Sequence, residues 1–246
     1  MKAVIFAAGL GTRLGAYTRS CPKALVEAGG VPMLWRVMDR LREAGVDDFV
    51  VNVHAFASLV EASIGDYVKR CPGVRVTVSD ERDLLLETGG GLKKMAPWLG
   101  DAPFLVHNVD ILSAIDLKAF AQNASALGAL ATLAVRQTRS DRYFLFNEAG
   151  VLCGWENVRT GQVRMSRPGE KDLRRYGFTG IHYICPEIFP LLTETGAFSI
   201  TDAYLRLAAD HDIVMADCSD AAWLDIGTPE QLAAANVLLT SGRSPF

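Results

Sequence analysis

In the first half of the chain, short continuous apolar runs alternate with segments of helical spacing. Residues 3–8 form a run closed by Gly9, which predicts a strand buried on both faces. Pro32 opens a segment in which Met33, Leu34, Val37, Met38 and Leu41 recur at helical spacing until Gly45. Residues 48–53 predict a second strand, 57–70 a second helix, 74–79 a third strand, 104–107 a fourth and 117–127 another helix. Strands separated by helices of this length imply an α/β protein with a Rossmann-like, doubly wound, mainly parallel sheet. Such sheets bind ligands at the carboxyl ends of their strands.

From Leu130 the pattern changes. "ATLAVRQ", "RYFLFNEAG", "VLCGWENV" and "FTGIHYIC" read as strands joined by short polar or glycine turns, an antiparallel excursion that serves as a lid or substrate-binding part. Helical patterns return at 186–192 and 201–209, followed by a strand at 213–216 and a closing helix from Pro229. There is no internal repeat or linker, so residues 1–246 are expected to form one domain: a first half over 1–128, the excursion over 129–218 and a closing segment over 219–246.

Composition narrows the function classes. With 50% hydrophobic and 22% charged residues the chain can bury a substantial core. Its 25 basic and 28 acidic side chains give a net charge of −3, which speaks against nucleic acid as a partner. The five cysteines are scattered without a C-x-x-C pair, which excludes a disulfide scaffold and a zinc ribbon. No apolar run nears the roughly 18 residues of a membrane helix, and no leader pattern is seen, so a soluble, cytoplasmic protein without a membrane partner is expected. His54 ends the second strand and faces the expected site, whereas His107, His182 and His211 show no ligand spacing and read as core or surface residues. Neither a G-x-S-x-G elbow nor a cysteine nucleophile motif is present, so covalent catalysis is not indicated.

Four stretches carry candidate chemistry. In "AAGLGTRLGAYTRSCPKAL" the glycines Gly9, Gly11 and Gly15 miss the dinucleotide fingerprint by one position and lack the order of a P-loop. Thr12-Arg13 and Pro22-Lys23 add a planar guanidinium fork and a compact cation, and exposed amides at Gly9–Thr12 would complete an anion nest. The plainer alternative is a tight turn with solvated cations. In "DERDLLLETGGGLKKM" three successive glycines at a helix head permit close approach by a ligand and leave N–H groups free, or form a flexible turn. In "FLVHNVDIL" Asp110 ends a strand where this architecture builds its site, though aspartate also caps turns. In "AAWLDIGTPEQL" Thr228, Pro229 and Gln231 make a capping box, which leaves Asp225 unaccounted for. Two carboxylates on separate loops are what Mg²⁺ asks for, a hard cation that keeps waters and substrate oxygens.

"GLGTRL" with "PKAL", followed in order by "ETGGG", "HNVD" and "WLDIGTPE", resembles the signature of the sugar-1-phosphate nucleotidyltransferases. The E-T-G-G-G form is most similar to the N-acetylmuramate-1-phosphate uridylyltransferase-like subgroup, with mannose-1-phosphate guanylyltransferase-like enzymes as the alternative. The resemblance implies the nucleotide-diphospho-sugar transferase type of fold. It also implies a Mg²⁺-dependent reaction in which a nucleoside triphosphate, UTP or GTP, and a sugar 1-phosphate give a nucleoside-diphosphate sugar and pyrophosphate.

By the same resemblance Ala8, Gly9, Gly11, Thr12, Arg13 and Lys23 grip the triphosphate, and Thr88, Gly89 and Gly90 meet base and ribose. Glu81 falls where relatives place a base-reading glutamine. An ionised glutamate only accepts hydrogen bonds, which suits uracil, thymine or guanine. Asp110 and Asp225 carry the metal, so that Arg13, Lys23, Asp110 and Asp225 form the catalytic set. Asn108, Asn157, Gly180 and Asp202 fall on the sugar side. For the last three the plainer readings are a hairpin residue, a bulge and a first-turn helix residue. The sugar-phosphate cation is open among Arg159, Arg164, Lys171 and Arg174. The chain departs from many relatives at Gly15-Ala16, where those carry a basic residue and a proline.

Two other classes are compatible with the fold. A non-catalytic nucleotide-sensing module need not keep both aspartates with Arg13 and Lys23. A nicotinamide-dependent oxidoreductase is disfavoured by the glycine spacing and by a second strand that ends "VVNVH" without a ribose-binding acid. No hexapeptide repeat is present, so no acyltransferase or assembly domain is expected.

Overall fold

Along β1 (Lys2–Phe6) side chains alternate between two separate cores. Ala3 and Ile5 join one, Val4 and Phe6 the other, and all four are buried, as a parallel strand covered on both faces requires. The computed structural model describes residues 1–241 and 244–246. After β1 come a short hairpin of β2 (Glu27–Ala28) and β3 (Val31–Pro32), then α1 (Met33–Glu43), β4 (Asp48–Val53), α2 (Ala57–Arg70), β5 (Arg75–Asp80), α3 (Glu87–Leu99) and β6 (Phe104–Asn108). The strands pair in parallel in the order β6-β1-β4-β5. Leu34, Val37 and Met38 of α1 and Val60, Ile64 and Tyr67 of α2 fill the first core; Leu92 and Met95 of α3 fill the second.

The antiparallel part grows from the same sheet. It follows β7 (Ile111–Ser113) and α4 (Leu117–Leu127), whose start is capped by Asp116 accepting the Ala119 N–H. The strands β8 (Ala131–Arg136), β9 (Arg142–Phe146), β10 (Leu152–Asn157), β11 (Gln162–Met165) and β12 (Arg174–Ile184) come next. The long β12 joins the two parts: residues 181–184 pair with β6, and residues 174–176 pair with β9. Between these halves its register against β8 shifts, at Gly180, whose φ of 82° only glycine adopts readily. The chain ends with α5 (Ile200–Leu207), β13 (Ile213–Asp217), β14 (Trp223–Asp225) and α6 (Pro229–Thr240).

The expected elements recur with small differences. β1 stops two residues early because Asn52 Oδ1 accepts the amides of Ala7 and Ala8, at 2.7 and 3.3 Å, and draws them out of the ladder. The helix expected at 186–192 is a 3-10 turn, Pro186–Leu191. No helix among the described residues is long and apolar enough to cross a membrane.

His107 on β6 and His182 on β12 are buried, which resolves the two open readings, core or surface, in favour of the core for both. The His107 ring donates from Nδ1 to the Asn108 carbonyl at 2.8 Å, and His182 Nδ1 shares a hydrogen bond with the Tyr204 hydroxyl at 2.7 Å. Burial lowers their pKa values to about 4 and about 3. Below roughly pH 6.5 the unfolded chain takes up protons that the native protein refuses, so stability falls with pH over this window. The urea midpoint is therefore expected to drop from pH 6.5 towards 4, less steeply in His182→Gln. An equal slope in the variant would show that His182 is protonated in the native state.

Candidate active site

β6 ends at Asn108, and the chain turns through Val109 and Asp110 into β7, which pairs antiparallel with β14. In that two-stranded ribbon Asp225 lies opposite Ile111, and the Ile226 N–H donates to the Asp110 carbonyl at 2.8 Å. Two aspartates distant in sequence thus become neighbours at the carboxyl end of the sheet. Lys23, heading a 3-10 turn over Lys23–Leu25, forms an ion pair with Asp110. Arg13 Nη2 lies 3.9 Å from Asp225 Oδ2. A small third core holds these pieces in register: Leu14 of the glycine loop, Leu112 of β7, and Ile226 and Leu232 around the start of α6 pack together. Gly227 permits the Arg13 contact, since a Cβ there would stand 2.6 Å from Arg13 Nη2 and 2.9 Å from Asp225 Oδ1. Trp223 donates its indole N–H to the Thr179 carbonyl at 2.9 Å and carries the Arg136 guanidinium over its ring, which fixes β14 from behind.

Asp225 is strained electrostatically. Burial and then the nearby Asp110 raise its pKa, against the opposing pull of Lys23 and Arg13, and its Oδ1 is buried with no hydrogen-bond partner among the described residues. No group of three or more His, Cys, Asp or Glu side chains converges among the described residues. A pair of hard carboxylates with an unsatisfied oxygen fits a cation that draws its remaining ligands from water and substrate.

Two cavities border the aspartate pair, one at Asp110 and one at Asp225. The first, about 340 Å³, is lined by Ala8, Gly9, Lys23, Thr88, Asn108 and Asp110 among others. Among the described residues the amides of Gly9, Leu10, Gly11 and Thr12 donate to no protein acceptor, so the loop beside this cavity presents a row of free donors. The second, about 700 Å³, has Arg13 and Asp225 on its wall together with Arg142, Tyr143, Trp155 and Phe178.

Arg13, Lys23, Asp110 and Asp225 come together, and Ala8, Gly9, Thr88 and Asn108 line the first cavity with Lys23 and Asp110. Gly11, at φ 63°, packs its backbone against Lys23 Cβ, while Thr12 is exposed on the loop outside both cavity walls. Other expected residues are engaged elsewhere. Glu81 is buried behind the first cavity: Oε1 accepts from Asn52 Nδ2 at 2.8 Å and Oε2 from the Leu86 N–H at 3.0 Å, leaving no oxygen turned to a base. His54 donates to the Glu81 carbonyl and belongs to this same buried network. The amides of Gly89 and Gly90 are taken by the Phe198 carbonyl, and Cβ atoms there would strike the Phe198 ring and the Gly196 carbonyl. These glycines serve close packing of α3 rather than a nest.

Of the residues expected to meet the sugar, Asn157 Oδ1 accepts the Arg159 N–H at 3.0 Å and closes the β10–β11 hairpin. Gly180 is the bulge of β12, where a Cβ would stand 2.8 Å from Asn108 Nδ2. Asp202, in the first turn of α5, pairs with Arg164. Of the four candidate cations only Arg159 reaches the second cavity, and it pairs with Asp141 at 3.3 Å. The sequence reading missed Asn52, Glu87 and Arg142. A polar residue inside the apolar run "VVNVH" was a usable signal for Asn52; the other two gave none.

Paired cations and carboxylates beside a glycine loop, at the carboxyl end of a parallel sheet, define an α/β enzyme that handles phosphates. Residues 2–242 match the family described as nucleotidyl transferase, and the chain belongs to it as a sugar-1-phosphate nucleotidyltransferase. It is 34% identical over 243 residues to an N-acetylmuramate alpha-1-phosphate uridylyltransferase of Caulobacter vibrioides, with 96% of each chain covered. An enzyme of the same name from Neisseria meningitidis serogroup B is 31% identical over 238 residues, covering 97% of this chain and 98% of the relative. Among solved structures, a UDP-glucose pyrophosphorylase complexed with UDP-glucose superimposes with a TM-score of 0.78 over 98% of this chain and 99% of its own, at 19% identity, and shares the fold.

Proposed function

We propose that the chain joins UTP to N-acetylmuramate 1-phosphate, releasing pyrophosphate. The observation that carries this reading is the row of alternating charges, Lys23 with Asp110 and Asp225 with Arg13, bordered by a glycine-loop cavity on one side and an aromatic, arginine-bearing one on the other. The similarity to two uridylyltransferases of that sugar supports the choice of substrates. The reaction would belong to cytoplasmic recycling of cell-wall sugars.

An oxygen of the sugar phosphate attacks the α-phosphorus; a P–O bond forms as the bond to pyrophosphate breaks, so the protein must position and neutralise rather than supply a nucleophile. The free amides at Gly9–Thr12 and the Arg13 fork hold the β- and γ-phosphates and receive charge that grows on the leaving group. Lys23 places its ammonium beside the α-phosphate. Asp110 and Asp225 would hold Mg²⁺, which supplies charge neutralisation and Lewis acidity at phosphate oxygens. Trp155 and Phe178 offer apolar faces to the sugar, and Arg142 faces the same cavity without an ion-pair partner among the described residues.

Arg13→Ala is expected to lower kcat by roughly 10²- to 10³-fold, the cost of losing a donor that acts mainly in the transition state. Its side chain is largely exposed, so the thermal midpoint should hold. Near-normal turnover would remove Arg13 from the site. Mass analysis of products from a panel of four nucleoside triphosphates against several sugar 1-phosphates tests the substrates. UDP-N-acetylmuramate as the dominant product supports the reading; a GDP-sugar as the dominant product overturns it.

A further inference from the structure

The start of α3 contains a residue that its backbone does not suit. Glu87 has φ 57°, in the left-handed region that disfavours every residue except glycine and, less strongly, asparagine and aspartate. The chain on both sides is fastened. The Leu86 N–H donates to Glu81 Oε2 at 3.0 Å, the Leu86 carbonyl accepts the Phe198 N–H at 3.2 Å, and Thr88 Oγ1 accepts the Ile200 N–H at 3.0 Å. The Gly89 N–H is bound to the Phe198 carbonyl at 2.8 Å. Glycine would fit this conformation without cost, so the glutamate side chain is kept against a conformational penalty. A carboxylate near a helix start is favoured by the helix dipole, but that preference does not require the left-handed residue to carry it.

Glu87 lines the first cavity beside Leu85 and Thr88, and its carboxylate makes no ion pair among the described residues. Asp110 and Lys23 lie on the same cavity wall. Given the reading of that cavity as the triphosphate's, on which this inference rests, the geometry points to Glu87 as the residue that selects the base. An ionised carboxylate only accepts hydrogen bonds. The imide N–H of uracil meets it with a donor, whereas the corresponding ring nitrogen of cytosine is an acceptor and is repelled. Discrimination thus comes from both an attractive and a repulsive contact. Glu81, with both oxygens committed to Asn52 and Leu86, holds the segment that carries Glu87 and does not itself reach the cavity.

The test compares wild type, Glu87→Gln and Glu87→Gly as full-length proteins, with UTP and CTP as nucleotides and N-acetylmuramate 1-phosphate as acceptor. Glu87→Gln removes the charge and provides an amide that can turn to donate, so the UTP-over-CTP ratio of kcat/KM is expected to fall roughly ten- to a hundredfold, the worth of a hydrogen bond to a charged group. Glu87→Gly should raise KM for UTP by a similar factor, keep kcat, and raise the thermal midpoint by relieving the backbone. An unchanged nucleotide ratio in both variants, with wild type active on UTP, overturns the role of Glu87 and leaves the proposed function standing. A lower midpoint in Glu87→Gly with an unchanged nucleotide ratio assigns the residue to structure alone and overturns the inference. Wild type that does not use UTP overturns the proposed function and this inference with it.

Discussion

Asp225→Asn is expected to lose turnover by at least roughly 10³-fold while the ligand-free protein becomes no less stable, and more stable near neutral pH. The two effects have one cause. Asp225 is partly buried beside Asp110, and its Oδ1 is shielded from solvent with no hydrogen-bond partner among the described residues. Its folded pKa is therefore raised above the unfolded value, so the native state binds its proton more tightly and stability falls as pH rises through that range. A neutral amide of the same shape removes that cost but also removes the charge proposed to hold the metal against the phosphates. Unfolding curves at pH 7 with pyrophosphate assays on the same preparation check both. Near-normal turnover would remove Asp225 from the chemistry, and lost activity with a large fall in stability would make its role structural.

Lys23→Ala carries the second large effect. Lys23 is the counter-ion of Asp110, lines the first cavity, and stacks its stem under Gly11, where a Cβ would stand 3.0 Å from Lys23 Cβ. Truncation removes the cation proposed for the α-phosphate and leaves Asp110 and Asp225 close together, with Arg13 the remaining cation paired to either of them among the described residues. We expect kcat to fall roughly 10²- to 10³-fold, while the divalent ion needed for half-maximal activity decreases, because the carboxylates lose their competing ammonium. A titration of activity against Mg²⁺ in wild type and variant separates these effects. A variant that needs more metal at unchanged kcat would mean that Lys23 orders Asp110 for the ion and plays no part in charge transfer.

The parallel half of the fold was legible because its inner strands are covered on both faces, so that runs such as residues 49–51 stay apolar and the intervening helices keep their spacing. The structure makes neighbours of Arg13, Lys23, Asp110 and Asp225, which stood out in the sequence through their short local motifs; their roles in catalysis are the proposal made above. The ribbon that joins Asp110 to Asp225 was not legible: β7 and β14 have three residues each, too short for any period to show. Glu81 and the Gly89-Gly90 pair were misread for a physical reason. A polar residue and a glycine run look the same in sequence whether they face a ligand or face Asn52 and Phe198, and only packing decides. Glu87 was invisible because its signal is a backbone angle. Arg142 stands in the second cavity where Arg164, Lys171 and Arg174 do not, since strand register rather than charge pattern selects which cation faces inward.

The charges around the β7–β14 ribbon are proposed to bring two phosphates together for transfer. Pyrophosphate release from UTP by the wild-type protein, with N-acetylmuramate 1-phosphate and Mg²⁺ each supplied or withheld, tests it most directly. Release is expected only when both are present, in step with UDP-sugar formation. Release without the acceptor, release undiminished by chelation of the metal, or no release under any combination would contradict it.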